Sequence, residues 1–239
     1  MKRTLRAVRS RLGVVCALSA ALAICACSSS PSPSGIKHDP PQQSANGLMA
    51  VTQLTYEMVA KDVSVLSSLG ISGAGYSNGW WHVTLSFDLK MGAKGTLALD
   101  LQWLDKSGKV VQFPLSGISK MVEHHDLNAQ LFDTAARLTG DTTLTNLGAD
   151  AFPKDLGITG SGSGTFGYGT IAYDIADFRM SPDQEYPTGA MTATLDDLDL
   201  GLWNAAVTFD GTYLVEIRAT ANEAAMVMHL NLKCGCLEG

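Results

Sequence analysis

This sequence is poor in cysteine, with five in 239 residues, and three of them (Cys16, Cys25 and Cys27) fall close to the N-terminus. Only Cys234 and Cys236 remain beyond that point, which excludes a domain held by a framework of several disulfides. Charge is also sparse, at 17% of residues. Five of the 17 basic residues and none of the 23 acidic ones precede Cys27, which leaves 12 against 23 and a net charge of about −11 for the remainder. That balance excludes nucleic acid and anionic lipid head groups as partners of the downstream chain, because both require a basic face. No apolar run approaches the roughly 20 residues that a permanent membrane-spanning helix needs. Neither a Gly-x-Ser-x-Gly elbow nor a His-Glu-x-x-His pair occurs, so the best-marked routes to serine and zinc hydrolysis are missing. No cofactor is implied by any motif.

What is present begins at the N-terminus. Lys2, Arg3, Arg6, Arg9 and Arg11 are followed by an uncharged stretch from Leu12 to Ala23 and then by small residues, the layout of an export signal. The apolar stretch is too short to stay as a spanning helix, so residues 1–26 are expected to be cleaved. In Leu22-Ala23-Ile24-Cys25-Ala26-Cys27-Ser28 a cut before Cys25 would follow the branched Ile24, whereas a cut before Cys27 follows the small Ala26. The segment resembles the lipobox of bacterial lipoproteins cut by the lipoprotein signal peptidase. The resemblance implies a diacylglyceryl group with palmitate-type chains on Cys27, and Ser28 after it implies delivery to the outer membrane. More than one acyl chain makes such an anchor stable, so the membrane is the partner expected of this end of the chain.

Residues 27–46 follow as a Ser, Pro and Gln-rich stretch with almost nothing to bury, which reads as a flexible tether with His38 a solvated member of it. From Gly47 about 190 residues remain (47–239), enough for one well-buried domain. Asn46 is placed to cap a helix whose Leu48, Val51, Leu54 and Met58, then Val65 or Leu66, recur at spacings of three and four, with Gly70 as its end. Strand signals take over from Trp81. Trp81, Val83, Leu85, Phe87 and Leu89 alternate with polar residues, and Leu97, Leu99, Leu101 and Trp103 repeat the pattern. Asp105-Lys106-Ser107-Gly108 then turns the chain into Lys109–Phe113.

The middle admits two readings: a helix capped by Asp126 that carries Leu127, Leu131, Ala135 and Leu138 and closes at Gly140, or strands suited to the Thr-rich stretches there. Alternation returns through Ile171, Tyr173 and Ile175 and again from Met191 to Leu195. Asp210-Gly211 between Val207–Phe209 and Thr212–Ala219 is a strong hairpin signal. Ala224, Met226, Met228, Leu230, Leu232 and Cys234 share one face of a last strand. The sum is a mainly β (α+β) domain, a twisted antiparallel sheet of about eight to ten strands curled as a barrel or sandwich, with an N-terminal helix packed against it.

Cys234-Gly235-Cys236 is the sharpest chemical feature of the downstream chain. In an oxidising compartment a bend at Gly235 would let the pair close as a small disulfide. Alternatively the thiolates, with Met226 and Met228 nearby, suit a soft metal such as Cu(I), or the pair is redox-active. His229 falls on the opposite face of the strand. Glu123-His124-His125-Asp126 looks ligand-like, but adjacent histidines diverge on a strand or a helix and serve one metal poorly. Gly162-Ser163-Gly164-Thr165-Phe166-Gly167 matches a dinucleotide fingerprint literally, yet a period-two run follows it where the fingerprint needs a helix, so a flexible loop or bulged strand explains the glycines. Asp197, Asp199 and Gly201 lack the remaining ligands of a calcium loop. The expectation for function is a lipid-anchored envelope protein with a noncatalytic binding or structural domain, in one version holding an apolar ligand. The alternatives are a metal or redox role at the C-terminal cysteines and an enzyme without recognisable motif.

Overall fold

The computed structural model describes residues 40–68, 74–88, 94–111, 117–131, 134–147, 155–167, 169–181, 184–197, 201–221 and 224–238. Cys27, Gly70, Asp199 and the signal segment therefore lie outside the described residues. Among the described residues one helix, α1 (Pro40–Ser68), precedes twelve strands: β1 (Gly75–Ser77), β2 (Trp80–Asp88), β3 (Lys94–Asp105), β4 (Ile118–Leu131), β5 (Thr134–Thr145), β6 (Leu156–Phe166), β7 (Gly169–Met180), β8 (Thr188–Asp197), β9 (Gly201–Asp210), β10 (Leu214–Ala221), β11 (Ala224–Asn231) and β12 (Cys236–Glu238). They form one antiparallel sheet in which each strand pairs with its neighbour in sequence, from β1 at one edge to β12 at the other. The fold is mainly β as expected, but the sheet is not closed as a barrel.

The helix starts at Pro40, six residues ahead of the Asn46 cap that the pattern suggests. Proline is tolerated in a first helical turn, where its missing N–H has no partner to lose, and Ser44 and Ala45 are already buried there. The C-terminal part of the supposed tether thus belongs to the domain. Leu48, Val51, Leu54 and Met58 are all buried, but so are Met49, Ala50, Thr52, Gln53 and Thr55, which leaves this part of the helix covered on nearly every side. Its polar groups are accommodated locally. Thr52 and Thr55 hydroxyls donate to the Leu48 and Val51 carbonyls at 2.8 Å each, and the Gln53 amide donates to Glu57 at 2.9 Å. The helix packs on β7, β8 and β9.

Alternation sorts the strands cleanly. Leu97, Leu99, Leu101 and Trp103 on β3, Ile171, Tyr173 and Ile175 on β7, and Val207 and Phe209 on β9 are buried. Their outward neighbours are small or polar, among them Thr139, Asp141, Ser161, Ser163, Asp174, Thr192, Asn204 and Arg218. The middle resolves as the β4–β5 hairpin. A helix is overturned there because Met121, Glu123, His125 and Leu127 keep a period of two, as do Ala136, Leu138, Gly140, Thr142 and Leu144. Lys109–Phe113 supplies only a single bridge, Leu104 to Val110, within its described part.

Asp210-Gly211 does not make a two-residue turn. Phe209 pairs with Val215, which leaves a five-residue loop in which Gly211 takes φ +88° and Asp210 accepts from the Thr212 amide at 2.9 Å. A two-residue turn would have paired Phe209 with Thr212 and turned Glu216 and Arg218 inward. The longer loop keeps that ion pair in water and buries Val215, Ile217 and Ala219 instead.

Tyr56 of α1 stacks on Tyr186 with ring centroids 6.3 Å apart. Burial, with the Glu57 and Glu185 charges added, pushes the Tyr56 hydroxyl up to about 12 from an ordinary 10, and burial raises Tyr186 as well. A raised folded-state value means the protonated form is favoured in the fold. This contribution to stability is whole below pH 10 and is lost as the pH rises from 10 to 12. Denaturant midpoints measured across that range are expected to fall, and to fall less steeply in Tyr56→Phe.

Candidate functional site

Two cross-strand rows, one on each face of the sheet, gather most of the chemistry-bearing side chains. The inner row runs His125 (β4), Gly140 (β5), Gly162 (β6), Tyr173 (β7), each the direct partner of the next. Strands lie about 4.8 Å apart, so His125 and Tyr173 start roughly three strand spacings from one another. They nevertheless meet, with Tyr173 Oη 2.8 Å from His125 Nε2, because the two glycines between them have no side chains. A Cβ on Gly140 would lie 2.9 Å from His125 Nε2 and 2.2 Å from the Ser161 carbonyl oxygen, and one on Gly162 would lie 2.6 Å from the Tyr173 ring. Gly162, the first glycine of the sequence that imitates a dinucleotide fingerprint, thus forms with Gly140 a floor beneath a buried polar contact. It sits on a bulged strand, with a register shift between Ile158 and Gly160.

Glu123, two residues before His125 and on the same face, places Oε1 3.4 Å from His125 Nδ1 with both side chains fully buried. The carboxylate favours the proton on Nδ1, which leaves Nε2 to accept from the Tyr173 hydroxyl. Met58 of α1 lies over that hydroxyl, with its sulfur 4.0 Å away. His125 and Tyr173 are 4% and 3% exposed. A solute reaching them would have to displace α1, so the group acts as a polar clasp between helix and sheet.

The outer row runs His82 (β2), Asp100 (β3), His124 (β4), Asp141 (β5). His82 Nδ1 lies 2.6 Å from Asp100 Oδ1, and His124 Nδ1 pairs with Asp141. The Trp80 ring rests on the His124 ring at 4.6 Å between centroids. His124 and His125 thus point to opposite faces as adjacent strand residues must, and their segment is the middle of β4 rather than a loop or helix start. Among the described residues no three His, Cys, Asp or Glu groups converge as metal ligands.

Ser77, diagonal to His82 on β1, reaches the end of the outer row, its Oγ 2.8 Å from His82 Nε2. Alternation alone begins the strands at Trp81 and passes Ser77 by. The signal that finds it is Asn78-Gly79, whose positive φ values of 52° and 87° make the two-residue turn joining β1 to β2 and set Ser77 opposite Trp80.

Cys234 and Cys236 are joined by a disulfide, with Cα atoms 5.3 Å apart across Gly235 at φ +64°. Cys234 is not part of a strand: β11 ends at Asn231 and a turn carries the cysteine to the surface. Met228 stays in the core and His229 faces outward toward Glu216, so neither accompanies the sulfurs. With the sulfurs bonded to each other, a soft metal would find thiolates here only after reduction.

No family model, no curated protein and no solved structure matches this chain.

Proposed function

We propose that the chain is a lipid-anchored cell-envelope protein, held at the outer membrane through Cys27, whose domain binds an apolar ligand against its inner face. The sheet curls over α1, and its interior serves for holding rather than for chemistry. The carrying observation is at the β2 end. Trp81, Val83 and Leu85 pair with Leu101, Leu99 and Leu97 and continue their apolar inner face, yet they are only half-buried while the β3 residues are sealed. Trp81 and Trp103 meet edge to face at 6.0 Å, an aromatic corner at the end of that surface. Half-covered apolar surface beside a finished core is where a lipid chain or similar molecule gains most by binding. The outer face carries Thr, Ser, Asp and Arg, the reverse of the outward apolar band of a membrane-spanning barrel.

The test is titration of the purified mature protein with a fluorescent fatty acid. Saturable binding, weakened about tenfold or more by Val83→Asp, which puts a charge on the apolar surface, supports the reading. Absence of saturable binding, or binding unchanged in Val83→Asp, overturns it. Mass spectrometry of the mature N-terminus decides the anchor separately, with acylated Cys27 as the expected species.

A further inference from the structure

Ser77, His82 and Asp100 stand in a relay whose order of atoms is that of an activated serine. Asp100 Oδ1 accepts a hydrogen bond from His82 Nδ1–H at 2.6 Å, which fixes the tautomer and leaves Nε2 as an acceptor 2.8 Å from Ser77 Oγ. All three lie on the outer face at one edge of the sheet, with the His82 and Asp100 side chains 45% and 49% exposed, so a solute reaches them without any movement of the fold. The tight turn at Asn78-Gly79 and the β2–β3 pairing hold the geometry, since Ser77 is directly opposite Trp80 and His82 directly opposite Asp100. Trp80 offers an apolar surface across the hairpin from Ser77, its ring held against His124. Gln102 anchors the turn by donating to the Gly79 carbonyl at 3.3 Å.

We infer that Ser77 is the nucleophile of a second, hydrolytic site that cleaves carboxylic esters, with His82 as general base and Asp100 as the residue that positions it. This site is on the opposite face from the proposed ligand surface and does not depend on that reading. Ser77 Oγ attacks the ester carbonyl carbon while its proton passes to His82 Nε2. The tetrahedral adduct then expels the alcohol, which leaves with the proton returned from His82, and an acyl-serine remains. Water, giving its proton to Nε2, attacks the acyl carbon, and the carboxylic acid departs as Ser77 regains its hydrogen. The open setting excludes little water and offers weak electrostatic focusing, so the substrates are esters with good leaving groups and a small apolar acyl chain, not amides.

Two measurements on the full mature chain test this. A fluorophosphonate probe followed by peptide mass spectrometry is expected to label Ser77, with labelling abolished in Ser77→Ala and reduced about tenfold or more in His82→Gln. Hydrolysis of p-nitrophenyl butyrate is expected to follow the same pattern. Asp100→Asn is expected to displace the pH profile of hydrolysis, a readout that a purely structural role would leave in place. Ser86→Ala, an exposed serine on the same face of β2, serves as the control and retains full activity. Because Ser77 is exposed, Ser77→Ala folds normally by circular dichroism. Failure of the probe to label Ser77, labelling indifferent to His82→Gln, or hydrolysis surviving Ser77→Ala overturns the inference.

Discussion

Gly140→Ala is expected to cost about 3 kcal/mol or more, a large effect for one methyl group. The added Cβ would lie 2.2 Å from the Ser161 carbonyl oxygen and 2.6 Å from the Gly162 Cα, both backbone atoms that no rotamer change can move aside. It would also press on His125 Nε2 at 2.9 Å, so the bond to Tyr173 is disturbed in the same stroke. In a domain of this size the loss corresponds to a fall of roughly 6–12 °C in melting temperature. Gly75→Ala is the matched control, since a Cβ there meets nothing within 4 Å, and it is expected to stay within about 0.5 kcal/mol of the parent. Thermal and denaturant melts of the two variants check the contrast. Equal stability of both would show that the row His125–Gly140–Gly162–Tyr173 is not closely packed.

The second large effect concerns the charges inside that row. His125→Leu removes the imidazole beside a carboxylate that has no exposed surface, and breaking a buried pair in this way costs about 3–5 kcal/mol. Replacing Glu123 by Met, His125 by Leu and Tyr173 by Phe together removes the charge, the imidazole and the hydroxyl while keeping similar volume. That triple variant is expected to be markedly more stable than the single one, approaching the parent. If the triple variant is no better than His125→Leu, the penalty comes from shape and not from a stranded charge. Denaturant midpoints of the parent and the two variants decide.

Much of the sheet is legible from period-two alternation, because on β2, β3, β7 and β9 most apolar residues face one way, with Trp80, Leu104 and Leu202 on the other. The β4–β5 hairpin is not. There Glu123, His125, Gly140 and Thr142 occupy inward positions, so hydrophobicity stops reporting the period where the interior turns polar. The early start of α1 was masked by Pro40 and Pro41, which read as tether composition but are compatible with a first helical turn. The β9–β10 loop departs from the expected two-residue turn because the local preference of Asp210-Gly211 yields to the larger cost of turning Glu216 and Arg218 inward. Ser77 was hidden for a different reason. The contact of Ser77 with His82 and of His82 with Asp100 is defined by the distance between strands, and in the sequence only the Asn78-Gly79 turn signals that β1 precedes β2.

The neighbour-by-neighbour order of the strands carries a consequence for how the molecule assembles. Every hairpin closes between segments adjacent in the chain, whereas α1 must find β7, β8 and β9, and Met58 meets Tyr173 across 115 positions of sequence. Closing that long loop is the slow step, because its entropy is lost before the contact returns anything. Among the described elements the first synthesised is therefore the last to dock, and until then its apolar flank and the sheet's concealed face are both bare, which makes the interval before docking the period when the newborn chain most needs a chaperone.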